Sequence, residues 1–214
     1  ILKEIGDNKL FSLIIDREYG GRKISVTQLS DVLTRLSAYN PALGVMVMVP
    51  NSLGPGELLL KYGTESQKQK YLPSLADGKL VPCFGLTGPH NGSDALGEID
   101  TGMVFKDRDG KLKIQVEINK RYITLAPVAN LIGLAINVTD PDKLLPSNVS
   151  PGVTVALLEK GHPGLLQETY HNPLNVGFPN GTLKGHFSIS ADQVIGGADN
   201  IGNGWQMLME CLAA

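Results

Sequence analysis

The chain has 214 residues, of which 42% are hydrophobic and 19% charged, and its 19 basic and 21 acidic side chains give a formal net charge of −2. A chain of this length buries enough surface to hold a core without a disulfide or metal, and its balanced charge excludes nucleic-acid or acidic-lipid binding as its main role. Cys83 and Cys211 lie outside any CxxC spacing, which predicts no metal site and favours a reducing compartment. The most apolar stretch, 126–138, is too short to span a bilayer, so we predict no transmembrane segment.

Residues 1–80 are predicted to form a helical N-terminal domain. The capping-box spacing of a hydroxyl residue followed three positions later by Gln occurs twice, at 25–28 and 64–67. The first helix is expected to end at Asn40-Pro41. Between the two capping boxes, a leucine run leads into Gly63 as a C-terminal cap. Pro73 is expected to interrupt the second helix.

Residues 81–196 are predicted to form a β-barrel domain. Polar and apolar residues alternate strictly from Lys113 to Asn119, which predicts a half-buried strand with Ile114, Val116 and Ile118 on one face. Asp109-Gly110 suits a hairpin turn that joins this strand to Thr101–Lys106. Turn residues separate five further candidate strands, at 81–86, 131–138, 153–158, 164–168 and 186–190. The predicted fold class is α+β, with a helical segment followed by an antiparallel β-barrel or sandwich.

Residues 197–214 are predicted to form a linker and the start of a truncated C-terminal helical domain. Trp205, Leu208, Met209 and Leu212 recur at helical spacing and form one apolar stripe. Two helical turns are not stable alone in water, so we expect a further helical region to cover this stripe in a longer protein. The start of the chain, without an initiator Met, also favours an excised piece. Without that region the stripe should be exposed and prone to associate.

One segment, Cys83 to Asp94 (CFGLTGPHNGSD), carries the clearest chemical signal. A strand-forming run ends at a hydroxyl, and the Gly, Pro and Asn residues that follow predict an irregular loop whose backbone N–H groups can converge on an anion. The alternative is a plain Pro-Gly turn between two strands. Arg121 to Thr124 again places an aromatic and a hydroxyl residue at alternate positions, although that segment alone is better explained by a core Tyr and a surface Thr.

Most familiar catalytic signatures are absent. The sequence contains no GxGxxG, no GxxxxGK[ST], no HExxH and no GxSxG. The four histidines (His90, His162, His171 and His186) have no metal-ligand spacing. A hydrolase built on His90, Ser93 and Asp94 is a distant possibility, because three residues of one loop do not readily adopt the geometry of a nucleophile, base and orienting group.

Together, the two hydroxyl-bearing segments resemble the acyl-CoA dehydrogenase family. CFGLTGPHNGSD is similar to that family's strand and loop over the flavin, usually written Thr-Glu-Pro and then Gly-Ser-Asp. The preceding KYGTESQKQKYLPSLADGKLVP is similar to the family's lead-in, and EYGG at Glu18 to Gly21 is a further landmark. NKRYIT at Asn119 to Thr124 stands where the family has Gly/Asn-x-Lys-x-Trp-Ile-Thr. The segments YITLAPVAN, HNPL and NGT are most similar to those of the long bacterial fatty-acyl-CoA dehydrogenases of β-oxidation.

The resemblance implies FAD as cofactor and assigns roles to residues of both segments. Phe84, Leu86 and Thr87 would line the flavin ring, with Thr87 bonded to its pyrimidine end. Gly92 and Ser93 would hold the FAD pyrophosphate, and Ser93 would also bind the neighbouring acyl-CoA substrate. The remaining implied cofactor-binding residues, Tyr122, Ile123 and Thr124, belong to the second segment. Tyr122 would flank the isoalloxazine ring, and Thr124 would reach its N5 and O4 side.

Two departures from the family pattern affect these roles. Gly88 replaces the usual Glu of Thr-Glu-Pro, and His90-Asn91 replaces small residues, so the loop's charge and shape should differ from the family's. In the family, the α-proton is removed by a glutamate of the C-terminal helical domain. No residue of this chain is assigned that catalytic role, and Glu210 is interpreted as a solvent-facing helix residue. We therefore expect the 214-residue chain alone to be inactive as a dehydrogenase.

The resemblance predicts an oxidoreductase that converts fatty acyl-CoA to trans-2-enoyl-CoA and passes electrons to an electron-transfer flavoprotein. It further implies a homo-oligomer in the full-length protein and a cytoplasmic location, with membrane association as a variant. An acyl-CoA oxidase is the alternative enzyme. A non-catalytic module that binds flavin or acyl-CoA is the alternative from another class. The acyl chain length is left open, with medium to long chains favoured weakly.

Overall fold

A computed structural model describes residues 1–52, 54–97 and 99–212. The first part of the chain is helical, as predicted, and joins a curled sheet that occupies the rest. Within the described residues, five helices precede the sheet: α1 (Leu2–Asp7), α2 (Val26–Tyr39), α3 (Pro41–Met48), α4 (Pro55–Tyr62) and α5 (Glu65–Ala76). A sixth, α6 (Gly204–Leu212), follows the sheet, and short 3-10 turns lie at 17–19, 49–51, 173–175, 191–193 and 198–200.

Both predicted capping boxes are confirmed. Ser25 accepts from the Gln28 N–H and begins α2, and Thr64 does the same with Gln67 for α5. The expectation that Pro73 interrupts α5 is wrong, because the helix continues to Ala76. Proline removes one N–H donor from the helix, but the turn beyond it buries Leu75 and Ala76 almost completely, and this burial outweighs the lost bond. Gly63 does cap α4, with an extended rather than left-handed backbone.

Seven strands form one mixed, curled sheet in the part of the chain that the structure describes. Their bounds are β1 (Pro82–Gly85), β2 (Thr101–Lys106), β3 (Leu112–Thr124), β4 (Leu131–Thr139), β5 (Val153–Glu159), β6 (Leu165–Tyr170) and β7 (Asn180–Ser190). The predicted β2–β3 hairpin is present, with Gly110 at φ +76° in its turn. Ile114, Val116 and Ile118 share the buried face of β3, as their alternation predicts.

The sheet is not purely antiparallel, which corrects the sequence-based expectation. β4 runs parallel to both β1 and β2, pairing with β1 through residues 131–134 and with β2 through 137–139. β5 pairs with residues 131–137 of β4, so β1 and β2 lie one after the other along the opposite edge. β2 pairs with the first half of β3. The chain therefore leaves the sheet after β1, as the β1–β2 loop, and returns to the same edge as β2.

Two hydrophobic clusters lie on opposite faces of β4. Ile132, Leu134 and Ile136 point into one cluster, with the inward residues of β3 and β7. Leu131 and Ala135 point into the other, with residues of α4, α5, β5 and α6. β4 reads as a nearly continuous apolar run because both of its faces are covered.

The apolar stripe predicted for the last helix is only partly exposed. Leu208 is fully buried against the second cluster, Trp205 is half-buried and Met209 is 38% exposed; the Leu212 side chain lies outside the described residues. The buried face of α6 is instead completed by Met207 and Cys211. Cys211 lies four positions after Met207 and three after Leu208, so it is next to both on the helix surface. The expected exposure of the whole stripe is therefore wrong.

The segment Pro41–Tyr62 has the length and hydropathy of a membrane span, with a mean hydropathy of 1.3 in its most apolar window. In the structure this segment is divided into α3, a 3-10 turn and α4, and 59% of the window is buried inside the protein. Its apolar character is therefore accounted for by packing.

Candidate functional site

The two segments singled out in the sequence meet at one end of the curled sheet. Directly after β1, the backbone carbonyls of Leu86 and Thr87 face the second half of β3. The Arg121 N–H donates to the Thr87 carbonyl at 3.1 Å, and Lys120 Nζ donates to the Leu86 carbonyl at 2.9 Å. Thr87 is therefore held next to the end of β3 that carries Tyr122 and Thr124.

A β-bulge between Lys120 and Ile123 turns Tyr122 out of the strand's regular alternation. Tyr122 has φ +55° and remains 52% exposed, which is uncommon for a bulky residue. Its ring lies 4.5 Å from the His171 ring, centroid to centroid, and the Arg121 guanidinium carbon is 5.6 Å from the ring centre. An exposed aromatic face in a strained backbone is typical of a ligand-contacting position.

Asn180 at the start of β7 fixes the backbone of this bulge. Its Nδ2 donates to the Tyr122 carbonyl at 3.2 Å and lies 3.4 Å from Thr124 Oγ1. Because the Tyr122 carbonyl can only accept, Nδ2 must face it and Oδ1 must face away. Among the described residues, three buried side-chain atoms have no hydrogen-bond partner, namely Asn180 Oδ1, His171 Nε2 and Asp100 Oδ2, and the last of these lies 2.8 Å from the Lys120 ammonium as an ion pair. Such atoms are rare in folded proteins and require an explanation.

The β1–β2 loop is organised around the buried side chain of Asn91, which is 3% exposed. Asn91 Oδ1 accepts from the Gly88 N–H at 2.7 Å, and Nδ2 donates to the Leu86 carbonyl at 3.1 Å. Gly92 and Ser93 are exposed, and a Cβ on Gly92 would meet nothing within 4 Å. The turn therefore presents a small residue and a hydroxyl at its surface.

The other predicted site residues lie deeper. Phe84 is 7% exposed, and its ring packs against the backbone of Gly133, where a Cβ would lie 2.5 Å from Phe84 Cδ2. Leu86 and Ile123 are also buried, in different hydrophobic clusters. Thr87 and Thr124 are half-buried. The flavin-contacting roles of all these residues stay predictions.

Sequence reasoning missed two charged residues at the junction of the segments. Lys120 is completely buried, and its Nζ lies 2.8 Å from Asp100 Oδ2. Burial lowers the pKa of Lys120, and the nearby Asp100 carboxylate opposes this shift. The period-two alternation that places Ile118 on the buried face of β3 also places Lys120 there. The pattern therefore predicted the burial of Lys120, but lysine is rarely buried and this was not expected.

Similarity to known proteins decides the family. The sequence model described as "Acyl-CoA dehydrogenase, N-terminal domain" matches residues 1–79. An acyl-CoA dehydrogenase of Bacillus subtilis is 30% identical over 164 residues, which is 77% of this chain. The human mitochondrial very long-chain specific acyl-CoA dehydrogenase is 29% identical over 99% of this chain. The chain belongs to the acyl-CoA dehydrogenase family.

Solved acyl-CoA dehydrogenases share the fold. The Bacillus anthracis acyl-CoA dehydrogenase, described as complexed with FAD, superposes over 99% of this chain with a TM-score of 0.81 and 22% identity. The butyryl-CoA dehydrogenase of Megasphaera elsdenii covers 99% of this chain with a TM-score of 0.78, also at 22% identity. At this identity the likeness concerns the arrangement of helices and sheet.

The chain spans only part of each relative. The alignment covers 40% of the Bacillus subtilis acyl-CoA dehydrogenase and 31% of the human protein, and the superposition covers 33% of the Bacillus anthracis chain and 53% of the Megasphaera elsdenii chain. The activity, substrate and partners of a whole acyl-CoA dehydrogenase are therefore matters for proposal here.

Proposed function

We propose that the chain supplies the helical lead-in and flavin-binding sheet of an FAD-dependent acyl-CoA dehydrogenase that oxidises fatty acyl-CoA to trans-2-enoyl-CoA. The observation that carries the proposal is the hydrogen bond from the Arg121 N–H to the Thr87 carbonyl at 3.1 Å. It brings the two segments on which the family resemblance depends to one place, although they are more than thirty residues apart in the sequence.

The residues at this place fit a flavin. A flavin is a planar aromatic system with donors and acceptors along one edge, so it requires an aromatic or apolar wall beside polar groups. The exposed ring of Tyr122 provides such a wall. The hydroxyls of Thr87 and Thr124 can donate, and the buried, unpartnered Asn180 Oδ1 can accept.

In the proposed complex each side chain has a limited task. Tyr122 and the backbone of Ile123 bound the ring, while Thr87 and Thr124 direct donors at its heteroatoms, as preorganised donors do where negative charge develops. Phe84 and Leu86 exclude water from behind the ring. Gly92 and Ser93 hold the diphosphate, and Ser93 also contacts acyl-CoA. FAD, when bound, supplies the hydride acceptor.

The remaining parts of the proposal concern partners and place. The proposed acceptor of the electrons is an electron-transfer flavoprotein, the proposed assembly is a homo-oligomer and the proposed location is cytoplasmic. An acyl-CoA oxidase is the rival enzyme, and oxygen uptake by the purified enzyme on addition of acyl-CoA would favour it. Bound FAD that acyl-CoA fails to bleach would favour a non-catalytic binding module.

The direct test is titration of the purified chain with FAD, followed by flavin fluorescence and visible absorbance. We expect one FAD per chain and a perturbed flavin spectrum. Tyr122→Ala should weaken binding about tenfold, or about 1.4 kcal/mol, which is in the range of aromatic contacts. Tyr39→Ala is the matched control, because Tyr39 on α2 is 88% exposed and should not alter binding. Absence of FAD binding, or equal binding by the Tyr122 variant, would contradict the proposal.

A further inference from the structure

Lys120 connects the two ends of the β1–β2 loop. Its Nζ donates to the carbonyl of Leu86, where the loop leaves the sheet, and pairs with the carboxylate of Asp100, where the loop returns. The two distances are 2.9 and 2.8 Å, and the lysine side chain is completely buried. One ammonium group therefore occupies the point at which β1 stops and β2 begins.

Asp100 is itself fixed by the strands around it. Its Oδ1 accepts from the Asn119 N–H at 3.1 Å, and its carbonyl accepts from the Asn137 N–H at 2.8 Å. The carboxylate thus has a set position against β3 and β4 before it meets the lysine. The Lys120 side chain is fully buried and the Asp100 side chain is 17% exposed, and a charge-assisted contact of this kind also fixes the relative position of the two groups.

The contacts to the loop come in register. Lys120 binds the carbonyl of Leu86, and the next residue, Arg121, binds the carbonyl of Thr87 through its N–H. Two consecutive residues of β3 thereby hold two consecutive carbonyls of the loop. Since φ and ψ are the free dihedrals of a residue, fixing the carbonyls before and after the Thr87 N–Cα–C unit restricts the direction of its side chain.

We propose that Lys120 and Asp100 are positioning residues that close the base of the β1–β2 loop and thereby set the Thr87 hydroxyl for the flavin. This inference rests on the proposed function. A buried ion pair is weak evidence for stability, because well-packed apolar residues often serve equally well. Lys120 contributes instead an ammonium donor that, together with Asn91 Nδ2 at 3.1 Å, holds the Leu86 carbonyl where β1 departs from the sheet, and Asp100 holds that ammonium in place.

The test compares Lys120→Met with Lys113→Met. Lys113 lies on the same strand, and its Nζ pairs with Asp107 Oδ2 at 3.1 Å at the far end of the hairpin, so it controls for loss of a β3 ion pair. We expect Lys120→Met to accelerate amide hydrogen exchange at Arg121 and Gly88 at least tenfold relative to the amides of β4. FAD affinity should fall about tenfold or more. Lys113→Met should change neither quantity.

Asp100→Asn is measured alongside, because it retains the side-chain volume and an acceptor for the Asn119 N–H. We expect it to accelerate exchange at Arg121 and Gly88 less than Lys120→Met does. The double variant Lys120→Met/Asp100→Asn removes both charges, so it should recover thermal stability but not FAD affinity. That combination separates positioning from a merely structural role.

Unchanged exchange at Arg121 and Gly88 in both single variants would overturn the inference, whether or not FAD binds. Faster exchange together with unchanged FAD affinity would also overturn it, because the loop base would then be irrelevant to the flavin. Recovery of FAD affinity in the double variant would show that charge balance alone matters, and would again overturn it. Failure of the wild-type chain to bind FAD contradicts the proposed function instead, and that result is distinguishable because exchange is measured without FAD.

Discussion

At the scale of single residues, Gly88 and Asn91 depend on each other. A Cβ at position 88 would lie 2.7 Å from Asn91 Oδ1 and 3.2 Å from the Asn119 carbonyl oxygen. The asparagine amide occupies the space beside the glycine and bonds its N–H. The departure from the family's Thr-Glu-Pro at position 88 and the departure at position 91 are therefore one structural change rather than two.

This coupling predicts a non-additive pair of substitutions. Gly88→Ala should lower the free energy of unfolding by about 1–3 kcal/mol, as overpacking does. Asn91→Ala should lower it by about 1–3 kcal/mol, since the buried Gly88 N–H loses its side-chain acceptor. In the double variant the clash with Asn91 Oδ1 is absent and only the 3.2 Å approach to the Asn119 carbonyl oxygen is left, so the loss should be smaller than the sum of the two. Urea unfolding of the three variants measures these values.

Gly92→Ala serves as the control, because open space surrounds that position. Its free energy of unfolding should lie within about 0.5 kcal/mol of the wild type. Strict additivity of the Gly88 and Asn91 effects would show that the two residues are independent.

Candidate site residues could be singled out from the sequence only where a pattern was local. The hydroxyls of Thr87 and Thr124 could be singled out because each follows a strand signal. His171 and Asn180 could not be joined to Tyr122 in this way, because their contacts depend on the pairing of β7 with β3 and on a bulge that no local pattern indicates.

At the scale of elements, a carboxylate of the sheet ties α5 to β5. Lys70 Nζ lies 2.7 Å from Glu159 Oε1, and the Tyr71 hydroxyl donates to the same oxygen at 3.1 Å. The hydrogen bond from Lys70 is the main cause that lowers the pKa of Glu159 below its ordinary value of 4.5, against the opposing effect of burial. Helix and strand are thus connected at the edge of the second hydrophobic cluster.

The direction of this shift predicts an acid-dependent loss of stability. Because the folded pKa of Glu159 is lower than the unfolded one, the unfolded chain binds more protons as the pH falls. The stabilisation is complete above about pH 4.5 and is lost as the pH falls through the folded pKa. Since Glu159 is 55% exposed, the contribution should be below about 1 kcal/mol.

Glu159→Gln should therefore flatten the acid side of a plot of unfolding free energy against pH, and Lys70→Met should flatten it to a similar extent. Chemical unfolding between pH 3 and 7, roughly the range over which carboxylates titrate, measures both curves. An acid limb unchanged by either substitution would show that the ion pair does not connect the two elements in solution.

The starts of α2 and α5 were the most predictable features at this scale, because a capping box consists of four consecutive residues. The end of α5 was not, because the burial of Leu75 and Ala76 beyond Pro73 depends on the sheet. Strands were located within a few residues, although β7 begins at Asn180 rather than at 186. Its additional residues pair with the bulged end of β3.

At the scale of the whole molecule, the two cysteines differ in how deeply they are buried. Cys83 on β1 is completely buried, and burial raises the pKa of its thiol. Cys211 on α6 is 7% exposed, and burial is the main cause that raises its pKa to about 11. Both thiols are free, and thiolate is the reactive form.

Thiol labelling at pH 8 should therefore be slow in the native chain and rapid in denaturing urea. Cys211 should react first, through local opening of α6, and Cys83 only on the scale of global unfolding. A Cys211→Ser variant isolates the slower reaction, whose rate should decrease when FAD is added if FAD binds only the folded form. Immediate labelling of Cys83 in that variant would contradict the arrangement of β1 in the core.

The α+β class and the order of helices before strands could be predicted from the sequence, but the strand order could not. Alternation identifies which residues of a strand face inward without saying which strand lies beside it. The parallel pairing of β4 with β1 and β2 and the burial of Leu208 against the second cluster are decided by contacts between distant segments.

The return of β2 to the edge that β1 leaves has a practical consequence. The described strand pairings all lie outside residues 86–100. The two ends of that stretch, Leu86 and Asp100, both contact the Lys120 ammonium. The exposed turn of this stretch, residues 92–94, is therefore carried by the strands without taking part in their pairing, as binding loops commonly are. We therefore expect changes at its exposed turn, residues 92–94, to leave the register of the strands unaltered, whereas the buried Asn91 and Ile99 must be kept.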